Sequence, residues 1–321
     1  MSNINGKPVV ELPAKGVLNL KSGFLHKQLC DGPTFSAGTA CAYSCSFCYV
    51  PALMQKDVRV GAVMAETGAS FDGLVIRRRG AVQTLRSQLT GRKGERRYND
   101  PNDTRVVFAS PLVDIAPNME LARETAEMCL VILEMTNWQI RLLSKSPLIV
   151  KIAEIIPEKY WPRLIMGLST GTTDDALAKA FEGGTPLPSK RVAALHKMQD
   201  MGLRTFGMVC PSLPVDDYLA FSQDAMSAIR IDKCEHVWGE VINVRGESMT
   251  RTVDALVAGG FSDTAEAVRT VSTNREAWEQ YARDTYLAHA QTCPPEKLRF
   301  LQYVTNANRD WWAGKPGAVL L

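Results

Sequence analysis

Strand-like and helix-like segments alternate from residue 105 to residue 241, and this alternation constrains the fold more than any other feature of the sequence. Each short apolar run is followed by a segment with apolar residues at helical spacing. The predicted strands are 105–110, 139–144, 163–169, 204–210 and 236–241. Such alternation predicts parallel strands joined by right-handed crossovers.

Helix boundaries in the same region are marked by residues that favour helix ends. Asn118 is predicted to cap one helix, and Ser146 a second with Pro147 at its first position. A third is predicted to open at 172–175, and Gly202 to end a fourth. With an earlier strand at 34–38, these units predict an α/β fold, a partial (β/α)6 TIM-like barrel.

The domain organisation follows from this assignment. We expect 1–32 to be an irregular N-terminal extension, 33–250 the partial barrel and 251–321 a C-terminal helical extension. A further short strand is predicted at 71–76 and a helix at 80–89. The Trp311-Trp312 pair is expected to cover the core, with an interaction surface as the alternative.

Three cysteines, Cys41, Cys45 and Cys48, follow the first predicted strand with the spacing Cys-x3-Cys-x2-Cys. Thiolates are soft ligands, and three of them can hold three irons of a four-iron cluster. Because such clusters usually take four cysteines, one iron would keep an open position for chemistry. Half of a structural zinc site and a set of buried structural thiols are the alternatives, and zinc would need a fourth ligand that no following Cys-x2-Cys pair supplies.

Polar residues stand where the predicted strands end, which is the face that carries function in parallel barrels. They are Ser110, Asp114, Lys145, Ser169, Cys210, Glu240 and Asn243. Loops are polar in any protein, so the set favours a common site more than any single member does.

The cysteine spacing, with Phe47 before the last cysteine, resembles the signature of radical S-adenosylmethionine (SAM) enzymes. The strand ends look like the spore photoproduct lyase-like, or DNA-repair photolyase-like, branch of that superfamily over about residues 33–250. The segments that carry this likeness are 107–117, 143–146, 167–170, 210–214 and 240–243.

The resemblance implies a barrel of the radical SAM type and a 4Fe-4S cluster on Cys41, Cys45 and Cys48. SAM would bind the free iron, and its reductive cleavage would yield a 5′-deoxyadenosyl radical that abstracts hydrogen from a substrate. The electron would come from a donor such as flavodoxin or ferredoxin.

The resemblance also implies which residues contact SAM. They are Tyr49, Ser110, Lys145, Ser169 and Glu240. Tyr49 is expected near the adenine, and Lys145 and Ser169 near the carboxylate and ribose. A cation there would offset a buried negative charge, whereas a lysine that only extends its stem along the strand end is the alternative.

The segment 106–111 departs from the family pattern. Spore photoproduct lyases carry a hydrogen-donating cysteine there, whereas this chain reads Val-Val-Phe-Ala-Ser-Pro. Cys210, at another strand end, becomes the candidate catalytic hydrogen donor. The alternatives are that Cys210 is a small buried hydrophobe, or that Tyr43, Tyr49 or Tyr98 donates the hydrogen.

The substrate class is less constrained than the chemistry. Basic runs at 77–79 and 92–97 are more often solvated surface than phosphate contacts, and phosphate contact by them, together with the resemblance, would favour a nucleic-acid base as substrate. A non-enzymatic iron–sulfur or zinc module that binds nucleic acid, and SAM-dependent group transfer to a small molecule, are the alternative functions. The sequence has neither a signal-peptide pattern nor an apolar run long enough to span a membrane, so we expect a cytoplasmic protein without a membrane partner.

Overall fold

The computed structural model describes residues 3–54, 56–243 and 246–321. The chain is a mixed α/β protein with a large parallel sheet, as the alternation predicts. It divides into two compact units: residues 1–44, 50–166 and 201–204 form the first, and 45–49, 167–200 and 205–321 the second. Within the described part of the chain, no helix combines the length and the apolar character needed to cross a bilayer.

The first unit contains a parallel ladder and a smaller mixed sheet. Its elements are β1 (Asn3–Ile4), β2 (Lys7–Pro13), β3 (Leu18–Asn19), β4 (Thr34–Phe35), β5 (Gly38–Ala40), α1 (Val50–Met54), α2 (Val58–Thr67), β6 (Val75–Arg79), α3 (Ala81–Leu89), β7 (Val106–Ala109), α4 (Met119–Met135), β8 (Gln139–Ser144) and α5 (Ile149–Ile155). β4, β7 and β8 run parallel, with Val107 opposite Ile140. In the smaller sheet β6 pairs parallel with β2 and antiparallel with β5.

α4 illustrates how the sequence determines an element. Asn118 accepts a hydrogen bond from the Leu121 N–H at 2.9 Å, so it caps the helix as predicted. The buried face of α4 carries Met128 and Ile132 at helical spacing. The predicted helix at 80–89 is also confirmed as α3, with Gly80 before its first residue.

The N-terminal predictions need correction. Residues 3–32 are not irregular throughout, because β2 pairs with β1 through Lys7 and Pro8 and with β6 from Val9 to Pro13. The strand predicted at 34–38 is two strands in different sheets, since β4 joins β7 whereas β5 joins β6. The strand predicted at 71–76 begins later, because Phe71–Gly73 is a 3-10 turn that leads into β6.

The second unit is built on parallel strands with helices between them. The residues of β9 (Leu164–Ser169) from Gly167 onward belong to this unit. The following elements are α6 (Asp175–Phe181), α7 (Pro188–Asp200), β10 (Arg204–Ser212), α8 (Tyr218–Ala228), β11 (Cys234–Val241), α9 (Ser248–Ala258), α10 (Ser262–Thr273), α11 (Arg275–Thr292), β12 (Leu298–Gln302), α12 (Arg309–Trp312) and β13 (Ala318–Leu320). β10, β11, β12 and β13 are neighbours in this order and run parallel.

The segment 251–321 was predicted to be helical, and this prediction is incomplete because the segment also contains two strands. β12 extends the ladder beside β11, with Phe300 opposite Gly239, and β13 extends it further. Trp312 is fully buried and stacks on Phe300 with ring centroids 5.8 Å apart, so the prediction that the tryptophan pair covers the core is confirmed for Trp312. The partial (β/α)6 barrel remains a prediction.

Candidate functional site

In the first unit, Asp114 connects the first cysteine of the motif to the end of β8. Its backbone N–H donates to Cys41 Sγ at 3.4 Å. Its carboxylate accepts from Ser144 Oγ and from the Lys145 N–H, both at 2.7 Å, and from the Ala116 N–H at 2.9 Å. Burial raises the pKa of the Asp114 carboxyl, and these hydrogen bonds act in the opposite direction.

Two predicted SAM contacts lie in the same unit. Ser110 Oγ lies 2.6 Å from Ser36 Oγ, and Ser36 in turn donates to the Gly38 carbonyl. Ser110 therefore fixes the turn between β4 and β5, directly before the cysteine motif. Lys145 is half-buried and is held at its backbone by Asp114.

In the second unit, residues 45–49 form a tight loop held by hydrogen bonds. The Cys48 N–H donates to the Cys45 carbonyl at 3.0 Å. Ser46 donates to the Phe181 carbonyl through both its N–H (3.1 Å) and its Oγ (2.7 Å). Arg251, on α9, donates through Nη2 to the Cys48 carbonyl at 3.0 Å, which places a positive charge beside the loop.

Four other predicted residues come together in the second unit. Cys210 Sγ lies 3.5 Å from Glu240 Oε2, and Ser169 Oγ donates to the Cys210 carbonyl at 3.1 Å. Burial raises the pKa of the Tyr49 phenol, and the nearby groups of Cys48, Glu240, Cys210 and Tyr303 raise it further. Tyr49, Ser169, Cys210 and Glu240 are therefore neighbours, whereas their roles remain predictions.

Gly171 is required where β9 leads into the loop beside Cys210. A Cβ at this position would lie 2.0 Å from the Pro211 carbonyl oxygen, well inside van der Waals contact. The backbone of 169–171 also hydrogen-bonds β10, since the Cys210 N–H donates to the Thr170 carbonyl at 3.2 Å. Glycine thus allows the close approach that positions Cys210.

The chemistry of the cysteines fits an iron–sulfur cluster, although their arrangement does not form a metal site by itself. Across 3–54, 56–243 and 246–321, no group of three or more His, Cys, Asp or Glu is arranged to hold a metal ion. The three thiols of Cys41, Cys45 and Cys48 are soft donors and are half-buried. The N–H bond to Cys41 Sγ and the charge of Arg251 are the kind of interactions that tune cluster sulfurs.

Arg251 was not predicted from the sequence, and neither Asp114 nor Tyr303 was assigned a specific role. Arg251 lies 203 residues from Cys48 on a helix with no distinguishing motif, so nothing in the sequence indicated the contact. Asp114 stood among the polar strand ends, and its position after β7 was the available signal.

The two basic runs differ in structure. Arg77 is buried in β6 and forms ion pairs with Glu120 (2.5 Å) and Glu124 (2.6 Å), so both the solvated surface and the phosphate contact are wrong for Arg77. Arg78 donates to the carbonyls of 16 and 36. Residues 92–97 are exposed in a tight turn, and phosphate contact there remains a prediction.

Comparisons with known proteins give similarity at the level of the fold. No family model matches the chain. Uncharacterized protein ORF301 of Acidianus two-tailed virus is 23% identical over 255 residues, which cover 76% of this chain and 78% of that protein.

Two similar solved structures are those of spore photoproduct lyase, a radical SAM enzyme. A cysteine-to-serine mutant has a TM-score of 0.54, and the enzyme complexed with dinucleoside spore photoproduct has a TM-score of 0.53. Each is 12% identical over 77% of this chain and 66% of that chain. The chain thus spans just under two thirds of the length of these neighbours and has a fold similar to theirs.

Proposed function

We propose that the chain is a radical SAM enzyme that holds a 4Fe-4S cluster on Cys41, Cys45 and Cys48. The observation that carries the proposal is the Cys-x3-Cys-x2-Cys motif in a chain whose fold is similar to that of spore photoproduct lyase. When bound, the cluster and SAM supply the electron and the cleavable bond that together generate a 5′-deoxyadenosyl radical, which abstracts hydrogen from the substrate.

The residues of the chain orient the thiols and the cofactor. Asp114 holds Cys41 through its N–H, and Arg251 holds the Cys48 carbonyl and offsets negative charge at the loop. Lys145 would pair with the SAM carboxylate, because a charge-assisted hydrogen bond compensates the carboxylate for its removal from water. Tyr49, Ser110, Ser169 and Glu240 would supply the remaining contacts to SAM.

Cys210 is proposed as the hydrogen donor to a product radical. Its thiol faces the Glu240 carboxylate at 3.5 Å, and Ser169 fixes its backbone. Because 106–111 lacks a cysteine, the radical is used differently from repair in spore photoproduct lyase. The substrate in this proposal is a small molecule or a nucleic-acid base, and a reduced flavodoxin or ferredoxin in the cytoplasm supplies the electron.

Anaerobic reconstitution tests the metal site. We expect about four irons per chain and a change in the electron paramagnetic resonance spectrum of the reduced protein when SAM is added. Cys45→Ala should lose most of the iron, whereas Cys234→Ala, a buried thiol on β11, should keep it. Zinc in place of iron, or a spectrum that SAM leaves unchanged, would instead favour a metal module without SAM chemistry.

A further inference from the structure

A pocket of about 450 Å³ lies within the second unit, beside the residues proposed to act on SAM. Its lining includes Asn243, Arg275, Trp278, Glu279, Tyr303 and Thr305. The volume is in the range of small-molecule sites, which run from roughly 300 to 1,000 Å³. It is too small for a stretch of duplex nucleic acid.

Most of this pocket is made by the part of the chain outside 33–250. The end of α10 and the first turns of α11 form one side, and the segment after β12 supplies Tyr303 and Thr305. The pocket is thus built mainly from this chain's C-terminal segment, and among its lining residues Asn243 lies within the stretch that carries the family resemblance.

A chain of two side-chain contacts connects the pocket to the proposed reaction centre. Asn243 lines the pocket and donates through Nδ2 to Glu240 Oε1 at 2.6 Å. The other oxygen of Glu240 lies 3.5 Å from the Cys210 thiol. The pocket is therefore separated from Cys210 by the side chains of Asn243 and Glu240.

The lining combines aromatic rings with one cation. Trp278 and Tyr303 offer flat apolar surfaces on which a planar ring can stack. Arg275 is exposed and donates through Nη2 to Thr305 Oγ1 at 2.8 Å, which holds its guanidinium in place while other N–H groups stay available for an anion.

Two polar atoms at the wall lack partners among the described residues. Glu279 accepts from Asn308 through Oε1, whereas its Oε2 is buried and accepts no hydrogen bond. The Trp278 Nε1–H is likewise buried and unpaired. An N–H donor beside a hydrogen-bond acceptor is the chemistry that complements this pair of atoms, and pairing them would remove the cost of leaving them unpaired.

We propose that this pocket binds a planar heteroaromatic compound that carries N–H groups at one end and an anionic group at the other. Nucleoside monophosphates and tryptophan share this chemistry, since the nucleobase or the indole ring carries the N–H group and the phosphate or carboxylate is the anion. The proposal that the ligand binds depends on the pocket alone. The proposal that this ligand is the substrate from which hydrogen is abstracted rests on the proposed function.

Calorimetric titration of the reconstituted protein with AMP, UMP and tryptophan tests the proposal. We expect one of the two compound classes to bind, and Trp278→Leu to weaken that binding about tenfold, as the loss of one stacking partner does. Arg275→Gln should weaken binding about fivefold or more in low salt. Arg269→Gln, an exposed arginine on α10, is the matched control and should leave binding unchanged.

Measuring the affinity for SAM distinguishes this pocket from the cofactor site. Trp278→Leu should bind SAM with the same affinity as the unaltered protein. A loss of SAM affinity as large as the loss of probe affinity would overturn the proposal. Absence of binding by all three probes, or binding that neither variant weakens, would overturn it as well. Probe binding without SAM cleavage would refute the proposed function and leave the pocket assignment standing.

Discussion

Arg191 provides a sharp test of how the second unit supports the candidate site. It is almost fully buried on α7 and pairs with Glu182, which is also fully buried. It donates to the Ser169 carbonyl at 3.0 Å, to the Pro186 carbonyl at 2.7 Å and to Thr185 Oγ1 at 2.6 Å. Arg191 therefore holds the end of β9, where a predicted SAM contact lies.

Replacement of Arg191 by Met should lower the free energy of unfolding by about 3 to 5 kcal/mol, because Glu182 would be left as a buried charge without its partner. Since whole domains are stable by only about 5 to 15 kcal/mol, this is a large fraction of the total.

Urea unfolding followed by circular dichroism measures this loss. The double variant Arg191→Met with Glu182→Leu should recover most of it, since replacing both members of a buried pair is often nearly neutral. Arg230→Met serves as the control, because Arg230 pairs with Asp200 at the surface and should contribute less than about 1 kcal/mol. A cost for Arg191→Met as small as that of the control would refute the reasoning.

Three further predictions concern single residues. Gly171→Ala should lower stability and SAM-dependent activity together, because its Cβ would overlap the Pro211 carbonyl; a fully active variant in a turnover assay would contradict this. Asp114→Asn should lower the free energy of unfolding in urea by about 1 to 3 kcal/mol and reduce the iron bound. Ser144 Oγ and the Lys145 N–H each donate to one carboxylate oxygen, so the amide NH2 of asparagine would face one of these two donors. Burial lowers the pKa of His289 from 6.5 to about 4 in the folded protein. As pH falls from about 6.5 to about 4, the imidazole is protonated in the unfolded chain but not in the folded one, so the folded state loses stability over this range. His289→Gln should therefore lose less stability than the unaltered protein between pH 7 and pH 4.5, and equal losses in paired urea titrations would contradict the assignment.

Much of the fold could be predicted because its signals are local. Caps such as Asn118 and the left-handed Gly202 act within one turn of the chain, and apolar spacing marks the buried face of α4. The strands at 139–144 and 204–210 were predicted for the same reason, since buried parallel strands are short apolar runs. β12 was missed because its five residues, Leu-Arg-Phe-Leu-Gln, form a short run with only three apolar members, and its pairing with β11 is a long-range contact.

The candidate site was predictable where it consists of motif and strand ends. The pairing of Cys210 with Glu240 follows from two strand ends that are neighbours in a parallel ladder. Arg251 and the cysteine loop are 203 residues apart in the sequence, so their contact depends on the tertiary fold and no local pattern encodes it. Arg77 was misinterpreted because its two glutamate partners lie on α4, far along the chain.

The measurement that tests the central claim most directly is the formation of 5′-deoxyadenosine from SAM. Anaerobic, reconstituted protein with a chemical reductant should release 5′-deoxyadenosine and methionine in equal amounts, and Cys45→Ala should release neither. Cys234→Ala should match the unaltered protein. If the reconstituted protein forms no 5′-deoxyadenosine, or if Cys45→Ala forms as much as the unaltered chain, the Cys41–Cys48 motif does not support radical SAM chemistry.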